Sequence, residues 1–204
     1  MTVRAEMLAK ISGALADRPR PPVVPRDYRR SLDDVDVVEL FAERAADHRA
    51  TVTPVVAAEL PAAVAAALGE RGARRLVVPP GLSEEWLAAA DVEPLRDEPP
   101  LTVQKLDGAD GVISGCAVAI ALTGTIVLAA GPGQGRRALT LLPDYHLCVV
   151  RTDQIVGTVS EALARLDPSR PQTWISGPSA TSDIELNRVE GVHGPRTLHV
   201  LLIV

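Results

Sequence analysis

Short apolar runs that alternate with helical segments constrain the fold of this chain more than any other feature of its sequence. The run Thr51–Val56 favours a strand, with Pro54 indicating an edge position, and Arg75–Val78 is a second run that a Pro-Pro-Gly turn ends. An alanine-rich helix that starts at Pro61 separates the two runs. Strands that alternate with helices predict parallel pairing through right-handed crossovers.

The second half of the chain contains further strands and one well-marked helix. Val112–Ala119 and Thr125–Ala130 are apolar runs that predict a hairpin around Thr123-Gly124, and three more runs predict strands: Leu147–Val150, Trp174-Ile175 and Thr197–Val204. Thr158 and Glu161 form a capping box for a helix. The whole pattern predicts an α/β fold, a three-layer Rossmann-like sheet with some antiparallel strands.

The first thirty residues differ from the rest of the chain. Residues 3–16 have helical spacing, with one apolar face made of Met7, Leu8, Ile11 and Leu15. Four prolines follow within residues 18–25 and exclude a helix there. We therefore predict an N-terminal helix and proline-rich linker over residues 1–30 and a single domain over residues 31–204.

Two further helix starts are predicted from short polar side chains. Ser31 followed by Asp34 predicts a helix over about residues 32–47, whose inward positions are Val35, Val38 and Ala42. Ser83 predicts the start of a short helix that contains Trp86.

Charge and composition exclude several classes of function. The 204 residues include 21 Lys and Arg against 26 Asp and Glu, with 2% aromatics, so nucleic acid would find neither a basic surface nor stacking platforms. Two cysteines, Cys116 and Cys148, are too few for a four-cysteine cluster or zinc site, and we expect no metal site. Without a secretion signal or a bilayer-spanning apolar run, we expect a cytoplasmic protein.

A glycine-rich segment directly follows the strand that ends near Ala130. Glycine allows backbone N–H groups to converge on an anion, and this segment supplies both such positions and charge through Gly131, Gly133, Gln134, Gly135, Arg136 and Arg137. Its spacing matches neither a dinucleotide fingerprint nor a P-loop. An anion site and a tight turn with solvated arginines both remain open.

A second candidate segment leaves a short strand and enters a predicted helix. Free N–H groups and hydroxyls at such a helix start can bind an anion, and the residues available are Ser176, Gly177, Ser179, Thr181 and Asp183. Ser182 and Glu185 fit a capping box, which is the favoured role for Glu185.

A third candidate is the loop around His193, which lies between glycines and precedes Arg196. This histidine could act as an acid, a base or an anion contact, or serve only as a structural hydrogen-bonding group. His199 is expected on a face of the last strand, and no nucleophile–base pair stands out. The catalytic candidates are therefore Glu185 and His193, and the three segments together predict one anion pocket.

The ordered set of these motifs resembles the LUD domain, the lactate-utilization domain also known as LutC/YkgG. The resemblance covers about residues 35–204 and rests on the segments Ala121–Thr125, Gly131–Arg136, Leu142–Asp144, Ile175–Glu185 and Val192–Arg196. It implies a fold of the NagB/RpiA/CoA-transferase-like type. It also implies site positions at Thr123, Gly124, Gly131 to Arg136, Ser176 to Ser179, Asp183, Glu185, His193 and Arg196. Leu122 departs from the pattern, because many relatives carry an acidic residue there.

The same resemblance implies a role in oxidising L-lactate to pyruvate. The partners it implies are LutA-type and LutB-type proteins, which carry the iron–sulfur clusters, so no cofactor is expected on this chain. We rank first a non-redox subunit that binds a small carboxylate or phosphate, with homo-oligomer formation left open. A stand-alone enzyme acting on a sugar phosphate or CoA ester ranks second, and a purely structural adaptor third.

Overall fold

The computed structural model describes residues 2–17, 23–27, 30–178 and 194–204, which contain ten strands and five α-helices. The strands are β1 (Thr51–Val55), β2 (Arg75–Val78), β3 (Glu93–Arg96), β4 (Gly111–Ser114), β5 (Val118–Ile120), β6 (Thr125–Leu128), β7 (Tyr145–Arg151), β8 (Ile155–Val156), β9 (Thr173–Ile175) and β10 (Thr197–Ile203). The helices are α1 (Val3–Ala14), α2 (Val37–Asp47), α3 (Leu60–Glu70), α4 (Val103–Asp107) and α5 (Val159–Arg165).

Six strands form a parallel sheet in the order β1-β10-β7-β4-β2-β3. The other four form a second sheet in the order β8-β5-β6-β9, in which β6 runs antiparallel to both of its neighbours. The predicted mixed α/β architecture with parallel pairing is confirmed. Strand β1, which contains Pro54, lies at the edge of the large sheet as its proline indicated.

The large sheet is buried on both faces. Along β7, Leu147 and Cys148 are successive residues of a strand and so point to opposite faces. Leu147 packs with Leu68 of α3 on one face, and Cys148 packs with Phe41 of α2 and Ile126 of β6 on the other. Fully burying a side chain such as Phe41 contributes about 1.5–3 kcal/mol to the stability of the fold. The apolar layers on both faces therefore stabilise the sheet.

Helix α5 covers the outer face of the second sheet, where Ala162 packs with Val118 and Ile120. The predicted capping box sets its start, since Thr158 N–H donates to Glu161 Oε2 at 2.7 Å and Glu161 N–H donates to Thr158 Oγ1 at 3.3 Å. Ser83, in contrast, makes no such bond, and a single 3₁₀ turn over Glu84–Leu87 replaces the predicted short helix. The second sheet, with α5 outside it, is a layer that the sequence did not predict.

The prediction of one strand over Val112–Ala119 is wrong. Strand β4 ends at Ser114 in the large sheet, and β5 begins at Val118 in the second sheet. Every residue of both strands is buried, so the run lacks the alternation that would have marked the break. The hairpin turn itself is confirmed, because β5 and β6 pair antiparallel and Gly124 takes a φ of +57° between them.

Helix α2 begins later than predicted. Its N-cap is Asp36 rather than Ser31, and the Asp36 carboxylate accepts two backbone N–H groups of the first turn at 2.9 and 3.1 Å. Val35 precedes the helix and is exposed, whereas Val38 and Ala42 pack inward as predicted.

Helix α1 contains no buried residue. Its predicted apolar face is solvent-exposed at Met7, Leu8, Ile11 and the following Leu15. The division of the chain at residues 30 and 31 stays a prediction.

Among the described residues, none of the helices combines the length and apolar composition that crossing a bilayer requires.

Candidate functional site

The strand order of the large sheet reverses direction between β2 and β4. From β2 the chain moves outward to β3, then returns to β4 and continues through β7 to β10 on the other side. In open parallel sheets such a reversal leaves a crevice at the carboxyl ends of the two strands, where ligands characteristically bind. The segments that follow these strand ends are Pro79–Gly81 and Gly115.

The glycine-rich loop lies across this crevice. Gly133 N–H donates to Pro80 O at 2.7 Å, and Gly115 N–H donates to Gly133 O at 2.8 Å, so the loop is bonded to both strand ends. Gly81 has a φ of +77°, and a Cβ placed on it would lie only 2.8 Å from Pro132 Cβ. A side chain at Gly81 would therefore displace the loop from the crevice.

The backbone N–H groups of Gly133, Gln134 and Gly135 all donate to carbonyl groups of the protein. The N–H groups of Gln134 and Gly135 donate to Gly131 O at 3.1 and 3.2 Å. Gln134 also closes the loop with its side chain, since its Oε1 accepts the N–H of Ala129 at 2.7 Å. These N–H groups therefore stabilise a tight turn, as the turn alternative predicts, and are not available to an anion. Side chains of the loop would have to hold an anion in the crevice.

Arg136 is the side chain that the loop presents to the crevice, and Asp97 holds it there. Asp97 directly follows β3 and is 7% exposed. Burial alone would raise the pKa of Asp97, but hydrogen bonds from Arg136 and from Leu101 N–H, with the charge of Arg136, lower the pKa below its ordinary value. The carboxylate is therefore ionised and fixes the guanidinium. Sequence reasoning missed Asp97, because an Asp-Glu-Pro-Pro segment after a strand carries no recognisable site signal.

A second arginine reaches the same crevice. Arg136 and Arg170 line a cleft of about 550 Å³ together with Pro80, Gly131 and Pro132. Arg170 Nε lies 3.7 Å from an Asp167 carboxylate oxygen and its side chain is 54% exposed. Two guanidinium groups at one open cleft suit a small anion, which they can bind through paired N–H donors.

Four of the predicted site residues lie at the other end of β6. Ser176 Oγ is 2.7 Å from Thr125 Oγ1, which is itself 2.7 Å from Thr123 Oγ1. Gly124 and Gly177 pack directly on backbone atoms of Arg44 and His48, at the end of α2. Strand β6 rises about 10 Å between Thr125 and Leu128, and the glycine-rich loop follows beyond its far end. These residues therefore do not line the arginine cleft.

Arg196 takes part in an ion pair at the amino ends of β7 and β10. Its Nε donates to Asp144 Oδ1 at 2.6 Å, and both side chains are more than half exposed. The serine and threonine cluster and Arg196 thus lie away from the arginine cleft, and the single pocket formed by all three segments stays a prediction. Five predicted residues lie outside the described residues: Ser179, Thr181, Asp183, Glu185 and His193.

Comparison with known protein families matches residues 38–203 to the LUD domain. The chain belongs to the LUD domain family. The chain is 50% identical over 204 residues to "Lactate utilization protein C" of Deinococcus radiodurans, covering 98% of this chain and 95% of that protein. It is 31% identical over 163 residues to the protein of the same name from Geobacillus kaustophilus, covering 68% and 66%.

A solved structure gives the same assignment. The crystal structure of a DUF162 family protein from Deinococcus radiodurans is 48% identical, covers 82% of this chain and 96% of that one, and superposes with a TM-score of 0.70. The family resemblance read from the ordered motifs is thus confirmed. The finer assignment of this LUD domain to the NagB/RpiA/CoA-transferase-like type stays a prediction.

Proposed function

We propose that this LUD domain protein is a non-redox component of an L-lactate utilization system in the cytoplasm. It would act beside LutA-type and LutB-type iron–sulfur proteins, which carry the electrons from lactate. The observation that supports this most is the 50% identity across 95% of a relative named lactate utilization protein C. Identity spread over so much of both chains favours a shared role over a shared fold alone.

The two cysteines support the non-redox part of the proposal. Cys116 and Cys148 are both buried. Burial raises the pKa of Cys148 to about 12 and raises the pKa of Cys116 well above its ordinary value. Both thiols are therefore neutral at neutral pH, and two cysteines are fewer than the four that a four-cysteine iron–sulfur cluster requires. The clusters of the system would belong to its partners.

The arginine cleft supports the binding of a small carboxylate or phosphate. Asp97 and Leu101 O take the Nε and Nη2 donors of Arg136. Among the described residues, the Arg136 Nη1 group has no hydrogen-bond partner, so its two donors remain for a ligand. Because its partners fix the guanidinium, binding would require little ordering of that side chain.

Deletion of the gene, followed by growth on L-lactate as the sole carbon source, tests the proposed role. We expect growth to fail on L-lactate, to be normal on glucose, and to return when the wild-type gene is restored. Affinity purification of the tagged chain from lactate-grown cells should bring down iron–sulfur proteins. Normal growth of the deleted strain on L-lactate would contradict the proposal.

A further inference from the structure

A second space borders the glycine-rich loop, and the proposed function does not use it. It has a volume of about 310 Å³, and its lining residues come from the segments that follow β2 and β4 and from the end of β7. We call it the tryptophan pocket, after Trp86, which lines it together with Ser83, Cys116, Arg151 and Gln154. Its volume is that of a site for a small organic molecule.

The ends of β4 and β7 form one wall of the tryptophan pocket. Strand β4 ends at Ser114, whose Oγ lies 2.7 Å from Nε2 of His146 on β7. Past the end of β7, the Gln154 Nε2 group donates to Cys116 O at 2.7 Å, and Gln154 Oε1 accepts the backbone N–H of Arg151 at 2.9 Å. One glutamine thus joins the two strand ends. This wall is formed without a ligand, so binding would require little ordering of it.

The 3₁₀ turn Glu84–Leu87 carries Trp86 on another wall. The Arg96 guanidinium, at the end of β3, donates to both carboxylate oxygens of Glu84 at 2.6 and 2.7 Å and so holds the turn in place. The Trp86 ring reaches the end of β4, since its Cη2 atom would lie 3.6 Å from a Cβ placed on Gly115. The indole is partly buried and offers a fixed apolar surface to the pocket.

The unpaired polar groups of the lining residues are mainly hydrogen-bond donors. Among the described residues, the Ser83 hydroxyl, the indole N–H of Trp86 and the Nε2 group of Gln134 have no hydrogen-bond partner. The Nη1 group of Arg151 also has none, because Asp153 takes Nε at 3.0 Å and Nη2 at 3.2 Å. Of the described residues that line the pocket, none is acidic. A ligand would therefore have to supply acceptors.

The charged group beside the tryptophan pocket is positive. Asp153 pairs with Arg151, and the Arg165 Nη1 group donates to Asp153 O at 2.8 Å, so two guanidinium groups share one carboxylate. This group of three side chains carries one net positive charge. Leu82 and Val149 add apolar lining beside it. One positive charge next to apolar walls suits a singly charged anion with an apolar body.

We propose that the tryptophan pocket binds a small organic acid with a flat apolar body, with its carboxylate at Arg151 and its body against Trp86. A guanidinium pairs with a carboxylate through parallel N–H donors, and a flat apolar body packs well on an indole ring. Ser83, whose predicted capping bond is absent, would donate its hydroxyl to the same carboxylate. The site is separate from the arginine cleft and does not rest on the proposed function.

The fluorescence of Trp86 tests this site. The chain has two tryptophans, and Trp174→Phe leaves Trp86 as the only one, with the lining of the pocket unaltered. The probe is benzoate, and benzamide, which has the same ring without the charge, is its control. We expect benzoate to change the Trp86 emission saturably and benzamide to bind about tenfold more weakly or less. An emission that benzoate does not change saturably would overturn the site, as would equal affinity for the two compounds.

Arg151→Gln, made in the Trp174→Phe protein, tests the carboxylate contact. We expect the affinity for benzoate to fall about tenfold, close to that for benzamide. Arg170→Gln is the matched change, because Arg151 and Arg170 are 51% and 54% exposed and each pairs with a nearby aspartate. It should leave the benzoate affinity read from Trp86 unchanged, and melting temperatures check that both variants fold.

A loss of benzoate affinity with Arg170→Gln but not with Arg151→Gln would place the acid in the arginine cleft and overturn the site. Growth of the deleted strain on L-lactate is independent of these titrations and judges the proposed function separately.

Discussion

The guanidinium of Arg136 donates two parallel hydrogen bonds to the carboxylate of Asp97, from Nε at 2.8 Å and from Nη2 at 2.9 Å. The carboxylate is almost completely buried, whereas the arginine side chain is 42% exposed. An exposed arginine side chain is ordinarily mobile, but the charged hydrogen bonds to Asp97 hold this one in place. Asp97 therefore positions the charge that faces the cleft, and its removal should affect both folding and ligand binding.

Asp97→Asn should lower the free energy of unfolding by about 1–3 kcal/mol near neutral pH, because one bond to a charged group is lost and the other weakened. We expect a smaller loss in the free energy of unfolding than for a fully buried charged pair, because water screens the exposed part of Arg136. Urea denaturation measures the change. Arg74→Gln is the control, since Arg74 pairs with Asp91 in full solvent and its loss should be too small to resolve. Equal changes in the two variants would contradict the assigned role of Asp97.

The contribution of Asp97 should also depend on pH. Its pKa is lower in the folded protein than the ordinary value of 3.8, so the unfolded chain binds its proton more readily. The stabilisation is complete above that ordinary pKa and is lost as pH falls through the lower folded pKa. The difference in unfolding free energy between wild type and Asp97→Asn should thus be constant near neutral pH and shrink below about pH 4. If the difference in unfolding free energy grew on acidification, the lowered pKa of Asp97 in the folded protein would be contradicted.

Gly124→Ala should lower the free energy of unfolding by about 1 kcal/mol or more. Gly124 has a φ of +57°, and a Cβ there would lie 2.6 Å from Ala45 N at the end of α2. Gly69→Ala is the matched change, because Gly69 lies in α3 with nothing within 4 Å of a new Cβ, and it should raise stability by about 0.5–1 kcal/mol. Thermal unfolding of the two variants should give shifts of opposite sign.

Thr158→Ala should lower the free energy of unfolding by about 0.5–2 kcal/mol, since the Thr158 hydroxyl accepts the N–H of Glu161 at the start of α5. Ser83→Ala tests the opposite case. Ser83 occupies a formally similar position but makes no capping bond, so its substitution should leave the urea midpoint unchanged. A loss of stability from Ser83→Ala equal to that from Thr158→Ala would contradict the assigned caps.

Local signals in the sequence predicted the elements that depend on local chemistry. Pro54 indicated an edge strand because proline lacks the donor that a central strand needs. Thr158 and Glu161 indicated a helix start because each side chain satisfies the backbone of the other. The parallel pairing followed from the alternation of strands and helices, and it is confirmed for all six strands of the large sheet.

Relationships between distant segments could not be predicted in this way. Asp97 and Arg136 are 39 residues apart, and Ser114 and His146 are 32 apart, so no local spacing brings either pair together. The break between β4 and β5 was missed because both strands are buried throughout, which removes the alternation of apolar and polar residues. The separation of the Thr123, Thr125 and Ser176 cluster from the glycine-rich loop was missed because the two lie at opposite ends of β6, which the sequence spacing does not reveal.

Growth on L-lactate of the deleted strain, complemented with Arg170→Gln, tests the role of the cleft most directly. Arg170 lines the cleft but is more than half exposed, so its substitution should leave the fold and the cellular amount of protein unchanged. We predict slowed growth on L-lactate with Arg170→Gln and wild-type growth with the charge-matched Arg74→Gln. Wild-type growth with both variants, at equal protein amounts, would contradict a ligand-binding role for the arginine cleft.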